Sequence, residues 1–438
     1  MSTLTDRLRQ HNAVRNVSTV SLHKAAQLVG QVAAVAIIPR LLGAEDHGYF
    51  AFFLSWVFLA QILGDLGTPE VMSRFVPALS LAETKQLYGR TLFFKILIGL
   101  VCGLIGLGGA LFLAPWMRLD WALLISVGTA IHIVAWVPFN LLLGRNQVGL
   151  WMVEQAWRQW VLLLLIIPLY PLLGLGGTIW AWTLMEIIFT VLGLWWARAY
   201  WEPAAFGLDW DYLWPYLEFG FGFAVANLIS ALLYRSGPVL VETLTRQTAE
   251  AGFMNLAIGL FMMPYLLLTQ IAFSFVPTVS DLYARGQFKQ VQQWVQTFVS
   301  VSWLIGWLGV LAVWLLADWG VVFVFGPDYA PAAAPLKWIS LSFPPAGLLW
   351  GAYLVAMVTG QGQLRLWASV AALGSFLALS LWLVSTLGAS GVAIAMTVSV
   401  VVNFAVLYLF MRRDLSLPWG TLGMSSLIAA AGLWVIIN

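Results

Sequence analysis

Runs of about twenty mostly apolar residues, split by short polar stretches, recur from one end of this chain to the other. A helix of that length crosses the hydrocarbon core of a bilayer, where only helices and closed barrels satisfy their own backbone hydrogen bonds. The runs lie near 17–39, 49–66, 91–114, 121–143, 155–173 and 176–197, then 213–234, 252–276, 296–317, 335–358, 364–387 and 390–411, with a last at 419–437. These thirteen spans leave no polar segment long enough for a separate soluble domain. Charged residues make up 9% of the 438, against roughly 25% in soluble domains. The expected fold is an all-α polytopic membrane protein.

Sorting Lys and Arg between the two sides of these spans tests the topology, because cytoplasmic loops carry the excess. Sixteen fall on the side of the N-terminus, among them Arg7, Arg9, Arg15, Lys24, Lys95, Arg158 and Arg413; five, Arg40, Arg118, Arg235, Arg246 and Lys337, fall opposite. The expected organisation is therefore a cytoplasmic N-terminus at 1–16, an N-lobe of six helices at 17–198, a cytoplasmic linker at 199–212, a C-lobe of six helices at 213–413, and an additional C-terminal helix at 414–438. No small-residue cleavage site follows the basic leader, so the first helix is expected to stay in place. A net charge of +2 without a basic patch speaks against nucleic acid. Cys102 is the only cysteine, which excludes an intramolecular disulfide or a cysteine zinc cluster.

The chain also repeats itself. Phe75-Val76-Pro77-Ala78-Leu79-Ser80 returns as Phe275-Val276-Pro277-Thr278-Val279-Ser280, both copies in cytoplasmic loops where the proline is expected to end a helix. Gly48-Tyr49 is matched by Gly252-Phe253, while Gly144, Gln147, Leu150 and Trp151 are matched by Gly360, Gln363, Leu366 and Trp367. Leu173-Gly174 and Gly177 return as Leu387-Gly388 and Gly391. Six helices per copy is an even number, so the two lobes are expected to share one topology about a pseudo-two-fold axis along the membrane normal. Such lobes suit alternating access.

Several motifs carry a family likeness. Arg40-Leu41-Leu42-Gly43 with Asp46-His47-Gly48-Tyr49, then Gly64-Asp65-Leu66-Gly67 with Arg74, resembles the opening of polysaccharide (O-antigen, Wzx-type) flippases of the multidrug/oligosaccharidyl-lipid/polysaccharide exporter superfamily. Phe325-Gly326-Pro327-Asp328-Tyr329-Ala330 and Gly388-Ala389-Ser390-Gly391-Val392-Ala393-Ile394-Ala395 are similar to that family as well, so the likeness extends to about Arg413. The thirteenth helix exceeds the family's twelve-helix core. The resemblance implies a flippase that moves a polyprenyl-diphosphate-linked oligosaccharide across the bacterial cytoplasmic (inner) membrane for cell-surface polysaccharide such as lipopolysaccharide. It implies a polysaccharide polymerase or glycosyltransferases as partners, function as a monomer, and no enzymatic activity. No cofactor and no metal are expected; the coupling ion, H+ or Na+ or none, stays open.

Ionisable groups inside spans are costly, roughly 2.5–3.5 kcal/mol each on insertion scales, so they rank the site candidates. Lys24, Gln27 and Gln31 share one helical face and form a polar stripe suited to diphosphate or sugar hydroxyls, unless Lys24 snorkels to the interface. Arg235 and Arg40, taken as equivalent ends of helices 7 and 1, could grip phosphate through their planar guanidinium groups or anchor at the interface. His132 could be a proton relay, a sugar contact or a hydrogen-bonded packing residue, and Asn227 a sugar contact or an interhelical hydrogen bond. Glu186, whose repeat counterpart is Val400, is a candidate for ion coupling or for a structural pair. Asp65 and Arg74 are candidates for a gate or a structural ion pair, and Arg365 for a gate charge or a topology signal. The 25 tryptophans fit interfacial belts better than sugar stacking.

Three other functions compete. A multidrug or organic-cation antiporter of the same superfamily would favour an acidic cavity, whereas these candidates lean to Lys and Arg. A membrane-embedded polymerase or ligase would want a long outer loop and a nucleophile-base pair, and neither is present. Asp209-Trp210-Asp211 has the spacing of a glycosyltransferase metal pair, but its loop cannot hold the nucleotide-binding domain that such chemistry requires.

Overall fold

The computed structural model describes the backbone of residues 2–114, 116–359, 361–412 and 417–437. Side chains are described from residue 22 onward, apart from residues 270, 273, 274, 276–278, 280, 281, 284, 358, 362, 419, 421 and 437 within those segments. Arg7, Arg9, Arg15 and Arg413, which entered the topology count, lie outside the described side chains.

Among the described residues all regular structure is helical. The α-helices are α1 Ser2–Leu63, α2 Thr68–Phe75, α3 Leu81–Leu113, α4 Leu119–Gly144, α5 Val148–Leu173, α6 Leu175–Ala197, α7 Trp210–Arg235, α8 Gly237–Thr245, α9 Thr248–Ala284, α10 Phe288–Phe325, α11 Ala333–Ser340, α12 Phe343–Val358, α13 Gly362–Met411 and α14 Trp419–Ile437. Ten helical stretches are long and apolar enough to cross a membrane. Two expected pairs of spans are each joined without a loop. In α1 the join is Gly43 (φ 76, ψ 172) and in α13 it is Gly388 (φ 54, ψ −132). With α14, all thirteen expected spans are helical, and the chain is a multi-pass membrane protein.

The chain divides into two compact units, one of residues 1–42 and 53–228, the other of 43–52 and 229–438. This differs from the boundaries expected at 198 and 213. Residues 199–212 do not form a free linker in the first unit, because they are fastened to α3. Lys85 pairs with Glu202 at 3.6 Å, and Arg90 pairs with Asp209 at 2.9 Å while its guanidinium lies 4.1 Å from the Tyr212 ring centre. Asp209 Oδ1 also accepts from the Tyr212 amide at 3.1 Å, so the first acid of Asp209-Trp210-Asp211 caps α7. Leu213 then joins a core with Met72, Leu87, Tyr88, Leu92 and Val137. Burial of this apolar set draws the start of α7 into the first unit.

Each unit holds one copy of a repeat whose register is constant over its last three spans. Helix α4 spans Leu119–Gly144, and α11 with α12 spans Ala333 to Val358, every position shifted by 214. The Arg145 amide bonds the carbonyls of Leu141 and Leu143, and the Thr359 amide those of Val355 and Met357. Gly174 (φ 59, ψ −143) matches Gly388, in a backbone region essentially confined to glycine. A Cβ on Gly177 would meet the Leu169 carbonyl, and one on Gly391 the Leu383 carbonyl. Gln147 is therefore matched by Gln361, which precedes α13 as Gln147 precedes α5, and not by Gln363.

The opening repeat needs a larger correction. The first copy does break the chain: α2 stops at Phe75, a 3-10 turn covers Val76–Ala78, and Ser80 caps α3 through reciprocal bonds with Glu83. The second copy lies inside α9, whose backbone stays helical to Ala284, with the turn delayed to Gly286 (φ 72). The two phrases are not matched elbows. Arg235 is also displaced from its expected place. Helix α8 resumes at Gly237 and ends at Thr245, so Arg235 sits at a break and not at the end of a span as Arg40 does, close to Gly43.

Candidate functional site

The first unit buries a cluster of charge assembled by three helices. His132 comes from α4, Glu154 and Arg158 from α5, and Glu186 from α6. Glu154 and Arg158 are four residues apart and thus share a helical face. Arg158 donates to Glu154 Oε1 at 3.0 Å and to Glu186 Oε1, and its guanidinium lies 5.5 Å from the Phe189 ring centre. Glu186 Oε2 lies 2.8 Å from His132 Nδ1, and Arg158 Nη2 lies 3.0 Å from the same nitrogen. Gln155 adds a bond to Glu154 Oε2 at 2.7 Å. Glu186 is fully buried and His132 and Glu154 nearly so, so each charge depends on its partners rather than on water.

Two carboxylates face one guanidinium here, with His132 Nδ1 set between Glu186 and Arg158. Shifted by 214, the four positions become Ala346, Ala368, Ala372 and Val400. The second unit has none of these charges at the matching positions.

The second assembly forms where the helix following Gly43 breaks. Leu66 (φ 49) and Gly67 (φ 68) reverse the backbone between α1 and α2, and a Cβ on Gly67 would stand 2.1 Å from the Gly220 carbonyl of α7. A broken helix leaves carbonyls without amide partners. The Lys95 ammonium, fully buried on α3, donates to the Gly64 carbonyl and to that of Asp65, which also accepts from the Thr68 amide at 3.1 Å and the Thr68 hydroxyl at 2.8 Å. Asn227 Nδ2 donates to Asp65 Oδ2 at 2.9 Å, while Asp65 Oδ1 is buried with no hydrogen-bond partner.

These placements revise several expectations. Glu186 and His132 do come together, and so do Asp65 and Asn227, whose amide donates to the Asp65 carboxylate. Arg74 is exposed and forms no ion pair with Asp65 among the described residues. Lys95 and Arg158, assigned to cytoplasmic flanks, are partners of buried groups inside the first unit. Lys24 is exposed and donates to Gln27 at 3.0 Å; Gln31 is half-buried on the same helix, and Arg40 is exposed. Arg235 is exposed in the second unit, where Arg365 stacks 4.3 Å from the Tyr353 ring centre. Glu154, Arg158 and Lys95 were missed as site residues because each lies within two turns of a predicted span end, where a snorkelling side chain looks the same in sequence. The spacing of Glu154 and Arg158 was the available signal.

The sequence pattern of the family described as "polysaccharide biosynthesis protein" matches residues 13–283. The chain belongs to that family. Both assemblies of the first unit fall inside the matched stretch, and Arg365 lies beyond it. No curated protein matches this member of the polysaccharide biosynthesis family. Solved structures do. "Lipid II flippase MurJ, inward closed conformation" is similar with a TM-score of 0.77 at 13% identity, covering 94% of this chain and 92% of that one. An inward-facing multidrug resistance MATE transporter of the MOP superfamily gives 0.71 at 16% identity, covering 92% and 97%. A MOP superfamily transporter from Pyrococcus furiosus, titled for the reverse polarity of its binding pocket, gives 0.52 at 15%, covering 91% and 92%. This member of the polysaccharide biosynthesis family thus has the fold of MOP-superfamily transporters.

Proposed function

We propose that the protein is a flippase that carries a polyprenyl-diphosphate-linked oligosaccharide across the cytoplasmic membrane by alternating access, for cell-surface polysaccharide biosynthesis. Membership of the polysaccharide biosynthesis family over residues 13–283 carries this reading. The placement of charge supports it against export of organic cations. Between residues 22 and 42 the exposed charges of α1 are Lys24 and Arg40, with no carboxylate among them. The deeply buried carboxylates Glu154 and Glu186 are already committed to Arg158. An anionic diphosphate suits such a surface, and a lipophilic cation does not.

An ion-coupled cycle belongs to the proposal. The cluster of His132, Glu154, Arg158 and Glu186 supports a proton as the ion, since it holds two carboxylates to one guanidinium.

Purified protein in liposomes should move a labelled lipid-diphosphate oligosaccharide between leaflets, faster under an imposed proton gradient. Lys24→Ala together with Arg40→Ala should slow that movement several-fold at unchanged yield. Failure to move the glycan lipid, with export of a cationic dye by the same vesicles, would establish the antiporter instead.

A further inference from the structure

The second unit carries a different polar group. Arg365 lies in the first turn of α13, half-buried, with its guanidinium 4.3 Å from the ring centre of Tyr353 and 5.9 Å from that of Trp350, both on α12. It makes no ion pair and no hydrogen bond among the described residues. The other half-buried or buried cations of the spanning helices differ: Arg158 holds carboxylates, Lys95 holds carbonyls, Arg90 holds Asp209 and Arg145 holds the Thr84 hydroxyl. Arg365 is stacked, but its donor edge is not used.

At the end of a spanning helix a guanidinium can snorkel to the interface, and stacking on an aromatic face adds about 0.5–2 kcal/mol. Stacking also fixes the plane of the fork. Tyr353 is itself held: its hydroxyl donates to Asn403 Oδ1 at 3.3 Å and lies 3.5 Å from Ser369 Oγ, and its ring meets Trp350 edge to face at 5.4 Å. Tyr234 and Tyr265 set a pair of hydroxyls, 3.0 Å apart, within electrostatic reach of the same arginine. A stacked five-donor fork matches the oxygen array of a phosphate ester.

The repeat shows that this group is an addition. Shifted back by 214, Tyr353, Arg365 and Asn403 become Phe139, Trp151 and Phe189. Those positions in the first unit are apolar, so the shared fold does not require the polar set.

We infer that Arg365, seated on Tyr353 and Trp350, is a phosphate-ester binding site of the second unit. Its anion is a phosphoryl group on a lipid or one free in water. That the lipid is the transported diphosphate rests on the function proposed above; the anion site itself does not.

Native mass spectrometry of the full chain can count bound molecules of three probes: undecaprenyl diphosphate, inorganic pyrophosphate and phosphatidylglycerol. Wild type should retain undecaprenyl diphosphate, Arg365→Gln should weaken it about tenfold or more, and Arg365→Lys should fall between, since an ammonium keeps the charge and loses the fork. Tyr353→Leu, which removes the floor, should weaken binding with Arg365 still present. Arg365-dependent binding of pyrophosphate alone would uphold the anion site and remove the lipid-diphosphate cargo. Binding of all three probes unchanged in Arg365→Gln, with only the melting temperature lowered, would overturn the inference and leave Arg365 a packing residue; flipping could still stand.

Discussion

The hydroxyl of Tyr329 donates to the carbonyl of Gly43 at 2.9 Å, joining residues 286 positions apart. Gly43 is where α1 changes direction, and a kink of that kind frees carbonyls that the helix would otherwise have paired. Tyr329 is 1% exposed and stands just after Gly326 and Pro327 at the start of a turn leading into α11. The motif that resembles the flippase family thus closes the kink in a helix from the other end of the sequence.

Tyr329→Phe should keep the ring contacts and lose that bond, leaving the half-buried Gly43 carbonyl without this donor. A loss of about 1–3 kcal/mol is expected, read as a lowered melting temperature in detergent. An unchanged melting temperature would mean that another group reaches the Gly43 carbonyl.

Gly388 and Gly174 hold the same backbone conformation, yet they should not tolerate alanine equally. A Cβ on Gly388 would stand 2.6 Å from Glu250 Oε2, the atom that accepts from the Ala389 amide at 2.8 Å, whereas nothing lies within 4 Å of one on Gly174. Both variants carry strain of roughly 1–3 kcal/mol. Gly388→Ala should melt lower than Gly174→Ala, because it also displaces the Glu250 carboxylate from the restarted helix. Equal melting temperatures would show that Glu250 moves aside without cost.

Arg158→Gln should be among the most damaging single changes in the first unit, because it leaves Glu154 and Glu186 buried without their cation, a loss of about 3–5 kcal/mol. Replacing the whole set by its counterparts, His132→Ala, Glu154→Ala, Arg158→Ala and Glu186→Val, should recover much of that stability. Transport should not return with it. A quadruple variant that folds and still responds to a proton gradient would assign the cluster to packing alone.

Lys95→Met should destabilise the break between α1 and α2 by about 1–3 kcal/mol, because the Gly64 carbonyl loses the Lys95 donor while the Asp65 carbonyl keeps the Thr68 amide and hydroxyl. Adding Asp65→Asn should restore little, since the groups that Lys95 satisfies are the backbone oxygens of Gly64 and Asp65. Limited proteolysis near residues 63–68 reads the opening directly. Strong rescue by Asp65→Asn would show that attraction to the Asp65 carboxylate, and not carbonyl capping, is what keeps Lys95 buried.

The helices were legible in the sequence because a bilayer demands runs of fixed length, and their ends held to within a few residues for α4, α6 and α7. Glu186 and His132 were legible as misplaced polarity, each alone in an apolar run. Their meeting was not, since helices α4 and α6 come together through packing that leaves no local signal. Lys95 and Arg158 were hidden for a different reason: topology sorting treats every basic residue near a span end as a flank. The repeat was visible through its glycines, but a copied phrase such as Phe-Val-Pro-x-x-Ser says nothing about whether its second copy still turns. In α9 the backbone runs straight through it.

The ownership of residues 43–52 bears on how the protein is made. This stretch leaves the ribosome early, yet the unit it packs into is otherwise built from residue 229 onward. There Gly48 meets the Thr248 carbonyl and Asn255 lies 3.4 Å from the His47 ring nitrogen. Domains usually close in the order they are synthesised. Here the opening turns of the second helical stretch, though already translated, must wait for their neighbours.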